Sequence, residues 1–495
     1  MLTLAPTITW SHEGADGGDL ITAAYTLGIP HPTGYPTYVL LAKLFTFLPW
    51  GDVAFRVNLM SAFLAAGTVA LLYLSLFSLL DEGRAGRATA SVIAAAASLA
   101  FGFSPVFWSQ ATIAEVYALN SFFAAWLIYL LLKLRAARSG KERFSFSALF
   151  AFSFGLALGN HLSIILLAPG GLFFLWKSWR VRRIFELREL PLCLLALILG
   201  LAVYLYLPLR AVHTPPVNWG APYTWPRFWW VLSGQLYGRF LFTLPWTYLP
   251  GRVSAWVGLL ARQFAWWGLP VGLVGMWDLC RRERDAFLAS LIFFLLISTY
   301  AVGYNTTDSY VYLLPAFMVF ALWMGRGLHL SLSALHRYLP VSTAGPGWRR
   351  AFLAGVLLLP FISLGLNFPS LDLSADYTAH DYGVGALEAA APGAVIISSS
   401  DAHTFALWYF RYAEGRREDV AILNAGLLQY DWYVENVRHL HPGLAMLLEC
   451  PTCLEKLLAA NLPFRPVYLT DPALLPGRAY SLRPAWPLYQ VIGRD

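Results

Sequence analysis

Residues 57–80 read VNLMSAFLAAGTVALLYLSLFSLL, a run with no Asp, Glu, Lys or Arg. A helix needs about 20 apolar residues to cross the hydrocarbon core of a bilayer, so this stretch is a transmembrane span. Working outward from it, comparable runs fall near 88–106, 116–134, 146–159, 162–176, 190–209, 253–279, 286–302, 311–325 and 351–367. That makes ten. The composition of the whole chain agrees. Of 495 residues, 58% are hydrophobic and 13% charged, with mean hydropathy +0.56. Soluble domains sit near about 45–50% apolar and about 25% charged, which argues against a water-soluble enzyme. The net charge of +7 is spread over loops, so nucleic acid is set aside as a partner. Four cysteines exclude a disulfide-built scaffold. Twenty Trp, 25 Tyr and 33 Phe fit bilayer interfaces and an aromatic-lined cavity.

After residue 367 the character changes. Asp372, Asp376, Asp381, Glu388 and Asp401 arrive in quick succession and no long apolar run follows. The chain therefore divides into a polytopic membrane domain, 1–367, and a small soluble domain, 368–495, large enough for its own core. Within the latter, Ala394–Ser398, Val420–Asn424 and Arg465–Thr470 read as strands, and Thr404–Glu414 and Leu427–His439 as helices. Strands alternating with helices imply a parallel α/β arrangement.

The loops 81–87, 133–143, 177–189, 280–285 and 326–350 hold 19 Lys and Arg; those on the opposite side, 1–56, 107–115, 160–161, 210–252 and 303–310, hold 6. By the positive-inside rule the first set is cytoplasmic, and residues 1–56, 210–252 and the C-terminal domain lie outside. Keeping this alternation requires 146–159 and 162–176 to be two short crossings, with Asn160 and His161 at the turn. The first basic residue is Lys43, so no charged signal-peptide start precedes an apolar run. An even number of spans with both ends outside leads us to expect a further helix ahead of this chain start, giving about 10–11 in all.

The first outside loop carries the chemistry. It runs Trp10-Ser-His-Glu13-Gly-Ala-Asp16-Gly-Gly-Asp19-Leu, then Gly28-Ile-Pro-His31-Pro-Thr-Gly34-Tyr35-Pro36. Glu13, Asp16 and Asp19 are spaced three apart among glycines that permit close backbone approach. Local roles are open to them: Asp19 as a helix N-cap, Asp16 in an Asx turn. The functional reading is a general base at the membrane surface acting on an acceptor hydroxyl. The segment from His31 to Pro36 favours it, because so many φ-fixing residues specify one loop shape over a site.

These residues resemble a known family. The run from Asp16 to Pro36 is similar to the signature of the domain-of-unknown-function family 2723, which includes eukaryotic O-mannosyltransferases of the GT-C superfamily. Further matching blocks are Trp108-Ser-Gln-Ala with Glu115-Val-Tyr-Ala-Leu-Asn120, Gly159-Asn-His161-Leu, and Tyr206-Leu-Pro-Leu-Arg210-Ala with Pro216-Val-Asn218-Trp219-Gly. The last is Asp401-Ala-His403 with Glu414-Gly-Arg-Arg-Glu-Asp419-Val. The family usually has Glu where this chain has Asp19 and Ser where it has Gly17, so either Asp16 or Asp19 is the working base. Members also carry a helix before the acidic motif.

The resemblance implies an inverting membrane glycosyltransferase that uses a polyprenyl-phosphate-linked sugar, mannose among the candidates, and a protein hydroxyl or glycan as acceptor. It names no certain cofactor beyond that donor substrate; a divalent metal stays open and is not predicted. Asp16, Asp19 and Glu13 are the candidate catalytic residues. Arg210, directly after a span, is placed either to hold the leaving phosphate or to anchor at lipid headgroups. Glu115 caps the next helix, assists the base or holds a metal. His161, at membrane depth, is a phosphate donor or a packed histidine. His31 and Tyr35 belong to the shaped loop, and Asn218 and Trp219 are candidate sugar contacts. Asp401 and His403 follow a strand and precede a helix, where ligands collect in parallel α/β units, but a metal would need further ligands. Cys450-Pro-Thr-Cys453 reads as a local disulfide. Cys193 and Cys280 are structural, and Asn305-Thr-Thr307 is a sequon hugging the membrane. The rival class is a lipid-linked glycan flippase or membrane scaffold. Transporters carry charges near the midplane and often show internal repeats, whereas these spans hold almost no acids and show no repeat.

Overall fold

The computed structural model describes residues 2–80, 86–182, 189–338, 347–445, 454–475 and 480–493. Among the described residues, seven helices are long and apolar enough to cross a membrane: Val53–Leu80, Val116–Ala136, Leu162–Trp179, Leu190–Ala211, Arg284–Gly303, Ser309–Leu335 and Gly347–Leu371. Two bent pairs bring the number to nine. Arg87–Gly102 turns by 70° into Pro105–Ala111, and Trp246–Gln263 turns by 95° into Gly268–Arg282. The second bend corrects the expectation of one straight span over 253–279. Ala265 and Trp266 sit at positive φ, which no helix tolerates, and Gln263 turns its side-chain oxygen to the Val106 N–H instead.

The tenth expected run, 146–159, lies inside helix Gly140–Leu158. That helix opens on Lys141, Glu142 and Arg143 under a capping box between Ser139 and Glu142, so its first turn is polar. It still runs end to end. Gly159 accepts from the Thr37 N–H at 3.0 Å, and the next helix returns to a Lys177–Asp285 pair at 3.6 Å. Gly200 of the neighbouring Leu190–Leu201 helix lets the two backbones touch: a Cβ there would stand 2.2 Å from the Phe152 carbonyl. Small residues at such contacts are how helices associate inside lipid, where apolar burial gives no driving force.

The connections gather at two opposite ends. One end joins the basic set: Arg135 pairs with Glu283 at 2.8 Å, Arg326 bonds the Leu79 carbonyl, and Arg349 bonds Thr89. Arg326 also meets Asp278 at 2.9 Å and Glu283 at 3.2 Å, so its buried charge is compensated. The other end joins 1–56 to everything else. Ala5 donates to Thr112, Ile29 to Val217, Phe242 to Gly303 and Leu373 to Thr3.

The described residues of the C-terminal domain hold five strands: β1 Val395–Ser398, β2 Ala421–Asn424, β3 Val467–Leu469, β4 Ser481–Ala485 and β5 Leu488–Ile492. Their order is β2-β1-β3-β5-β4. β1 pairs in parallel with β2 and β3, as the alternation implied, while β5 runs antiparallel between β3 and β4. The β4–β5 hairpin and helix Thr378–Ala389 were not anticipated. β4 contains Pro484 and lacks alternating burial, so it left no strand signal.

This domain docks on the first helix of the membrane domain, Gly17–Thr26. A Cβ on Gly18 would stand 2.5 Å from the Phe405 carbonyl of helix Asp401–Trp408. Gly18→Ala should therefore overpack a backbone contact, at a cost of about 1–3 kcal/mol. We expect a lower Tm and faster proteolysis within 376–440. Gly17→Ala, whose Cβ would meet the Ala114 carbonyl at 3.3 Å, should do much less. Equal Tm values for the two variants would contradict this packing.

Candidate functional site

Asp16 and Asp19 separate completely. A short turn, Ser11–Asp16, leads into helix Gly17–Thr26, so Asp19 falls in its first turn and points inward. Asp19 is 0% exposed. One carboxylate oxygen accepts from the His31 N–H at 2.9 Å and from His31 Nδ1 at 2.8 Å; the other accepts from the Trp219 indole at 3.1 Å. Asp16, one turn earlier, has a side chain 45% exposed and lies 3.6 Å from His31 Nε2. The imidazole thus bridges the two carboxylates. Its place is fixed by backbone pairing: Ile29 N–H donates to Val217 and Trp219 N–H to Ile29, which binds the 28–31 loop to the 216–220 loop.

Although nearly half of the side chain faces the cavity, desolvation by the surrounding protein raises the pKa of Asp16 to about 6, against the pull of the His31 charge. Burial disfavours the charged imidazole too, but Asp16 and the hydrogen-bonded Asp19 outweigh it and raise His31 to about 9. At neutral pH the cluster is therefore an ionised carboxylate against an imidazolium.

Asp16 and His31 open onto a cavity of about 250 Å³. Tyr35, Tyr117, Tyr237, Tyr300, Tyr304 and Tyr312 line it, with His161, Ser163, Thr306 and Asp308. No Lys or Arg lines it among the described residues. His161 Nδ1 lies 2.7 Å from the Ser163 hydroxyl and 3.2 Å from the Ser163 N–H. Burial lowers its pKa to about 4, so it is neutral. Its ring stacks on Tyr35 at 6.3 Å.

The other expected residues lie elsewhere. Glu13 is exposed at positive φ and does not line the cavity. Glu115 is buried as N-cap of helix Val116–Ala136, where it accepts the Val116 N–H, and burial pushes its pKa well above the usual carboxylate range. Arg210 donates to the Leu27 and Thr26 carbonyls at 2.7 and 3.3 Å, closing the C-terminus of helix Gly17–Thr26. It does not line the cavity. Asn218 donates to the Ala211 carbonyl, and Trp219 packs at Asp19 with Phe405 and Trp432 rather than against the cavity. Asp401 sits behind Asp19 with its pKa raised by burial, and His403 stacks on Tyr382 at 4.3 Å. No group of three metal-ligating side chains occurs among the described residues. Cys450 and Cys453 lie outside the described residues. Cys193 and Cys280 are free thiols. The sequence reading missed Tyr237, Tyr300, Tyr304, Tyr312 and Asp308. An acid in a short loop between spans, the signal that singled out Glu115, marks Asp308 equally.

With the geometry in place, comparison with known proteins is informative. Residues 16–183 match a family model described as the protein O-mannosyl-transferase TMEM260 N-terminal domain, and residues 379–441 match TMEM260-associated domain 2. The mouse protein O-mannosyl-transferase TMEM260 is 28% identical over 462 residues, covering 88% of this chain and 63% of that protein. The Dictyostelium discoideum counterpart is 22% identical over 520 residues, covering 93% of this chain and 61% of that protein. The chain thus spans about three fifths of the length of these curated relatives. Among solved structures, ArnT from Cupriavidus metallidurans bound to undecaprenyl phosphate aligns with TM-score 0.58 and 12% identity over 99% of this chain and 94% of ArnT. The Archaeoglobus fulgidus oligosaccharyltransferase, in complex with Zn and sulfate, gives 0.50 and 12% over 94% of this chain and 64% of that one. The fold is that of ArnT and of the oligosaccharyltransferase.

Proposed function

We propose that this chain, a TMEM260-like protein with the GT-C fold, is a multi-pass membrane glycosyltransferase that moves a sugar, mannose by the names of its relatives, from a polyprenyl-phosphate donor to a hydroxyl. The acceptor is a protein or glycan. The ArnT match, solved with undecaprenyl phosphate, supports a lipid-linked donor of that class. The loop charges support an orientation with the cavity and C-terminal domain on the extracytoplasmic side, and the membrane proposed is a bacterial plasma membrane.

The observation that carries the reading is the place of Asp16. It alone of the three first-loop acids lines the cavity, and it faces an imidazole held from behind by the buried Asp19. Asp16 takes the proton of the acceptor hydroxyl as its oxygen attacks the anomeric carbon. The bond from that carbon to phosphate oxygen breaks, polyprenyl phosphate leaves, and the configuration inverts. His31 is the positive charge nearest the departing phosphate, and His161 is a second candidate donor within the cavity. Arg210 holds the first helix rather than the phosphate. Asp19 is a positioning residue: it fixes the ring and keeps it protonated.

Purified protein given a panel of polyprenyl-phosphate sugars and a hydroxyl acceptor should transfer one of them. Absence of transfer across the panel would contradict the reading. The pH profile should be bell-shaped. Activity falls on the acid side as Asp16 protonates near pH 6, and on the alkaline side as His31 loses its charge near pH 9. Asp19→Asn removes an anion that raises His31, so the alkaline limb should move to lower pH. An unmoved limb would exclude His31 as the group behind it.

A further inference from the structure

We propose that Asp308 is a specificity-determining residue of this site, its carboxylate accepting hydrogen bonds from hydroxyl groups of the donor sugar. The inference rests on the glycosyltransferase reading and adds which wall of the cavity reads the sugar. Asp308 lines the cavity together with Asp16 and Thr306. It precedes the turn Ser309–Leu313 at the N-cap position, where an aspartate ordinarily accepts a backbone N–H, yet its side chain makes no such bond. No ion pair engages it among the described residues either. The Arg252 guanidinium, which reaches the residues flanking Asp308, is committed to the Ser309 hydroxyl at 2.8 Å and the Thr306 carbonyl at 3.0 Å. The Thr306 hydroxyl is likewise buried without a partner.

A carboxylate with free acceptor capacity, in an aromatic cavity without Lys or Arg, suits a neutral polyhydroxyl ligand. Two carboxylate oxygens match two neighbouring sugar hydroxyls, and tyrosine faces beside them suit the C–H face of a pyranose. The wall is rigid. Tyr304 packs on Tyr300 and Tyr312 with ring centres 5.5 and 5.3 Å apart, and the 303–306 backbone is pinned by bonds to Phe240 and Phe242. Rigidity of this kind is what selectivity among hexoses requires, since a site built to bond a hydroxyl rejects ligands that lack it.

The test measures binding to the purified full-length chain in detergent, with polyprenyl phosphate alone and polyprenyl-phosphate mannose as probes. Wild type should prefer the mannosylated lipid. Asp308→Asn, which keeps the shape, and Asp308→Ala should each reduce that preference about tenfold or more, because hydrogen bonds to a charged group are lost. Affinity for the bare phosphate should not fall, since removing an anion from the same cavity only relieves repulsion. An unchanged preference in both variants, or an equal loss for both lipids, overturns the proposal, and so does a wild type that does not distinguish the lipids. Transfer activity reports separately on the reading beneath it. Active variants with unchanged sugar preference would remove the Asp308 assignment and leave the transferase standing. Sugar binding that depends on Asp308, without any transfer, would do the reverse.

Discussion

Asp16→Asn should lower the rate of sugar transfer by about 10²–10⁴, the usual cost of losing a general base. Asn keeps the size and polarity of Asp and suits the same turn, so insertion and folding should be unaffected. Donor affinity should change little, because His31 and His161 remain. Loss of the carboxylate also removes an anion beside His31. Its pKa should fall from about 9, since Asp16 is the largest of the groups that raise it against burial, while the Asp19 carboxylate still holds the ring in place. The expected pattern is a collapsed kcat with a nearly unchanged Kd for the donor. Wild-type turnover in this variant, with Asp19→Asn inactive, would shift the base to Asp19.

Asp19→Ala should act through the fold. Three donors, the His31 N–H, His31 Nδ1 and the Trp219 indole, converge on a carboxylate with no exposure. Removing one partner of a buried charge network typically costs about 3–5 kcal/mol, because the remaining groups are left unpaired. The same substitution at Asp16, whose side chain is nearly half exposed, removes no hydrogen bond of that kind. A thermal melt of the two alanine variants separates them: Asp19→Ala should fall well below wild type, Asp16→Ala should stay close to it. The reverse order would mean that the buried acid is not the structural one.

Much of this was legible in the chain. Apolar runs and loop charge placed the helices and their two ends, because hydrocarbon length and the distribution of Lys and Arg leave linear signals. The break at 264–267 left none, since Ala265 and Trp266 look like ordinary helix residues; only packing forces them to positive φ. Asp16 and Asp19 stand out together in the sequence, with Asp16 the first choice as base on the resemblance and on the capping role open to Asp19, but nothing local shows that one is buried and the other faces the cavity. Their difference lies in Trp219, 200 positions on, whose indole selects Asp19 for burial. Arg210 misled for a related reason. An arginine after a span reads as a phosphate ligand until the carbonyls of Thr26 and Leu27 are seen beside it. The tyrosine wall escaped notice because Tyr237, Tyr300, Tyr304 and Tyr312 belong to separate loops and helix ends, and aromatics in a membrane chain look like an interfacial belt.

The assignment of Asp16 as the base is tested most directly by supplying a nucleophile that needs none. Azide is an anion at neutral pH and small enough for the cavity. With Asp16→Asn and the lipid-linked donor that wild type uses, azide should restore formation of a glycosyl azide. Its anomeric configuration should be opposite to that of the donor, while hydroxyl acceptors stay unreactive. An Asp16→Asn protein that binds the donor normally and is as inert toward azide as toward a hydroxyl would contradict the account, because its defect would then lie outside proton transfer.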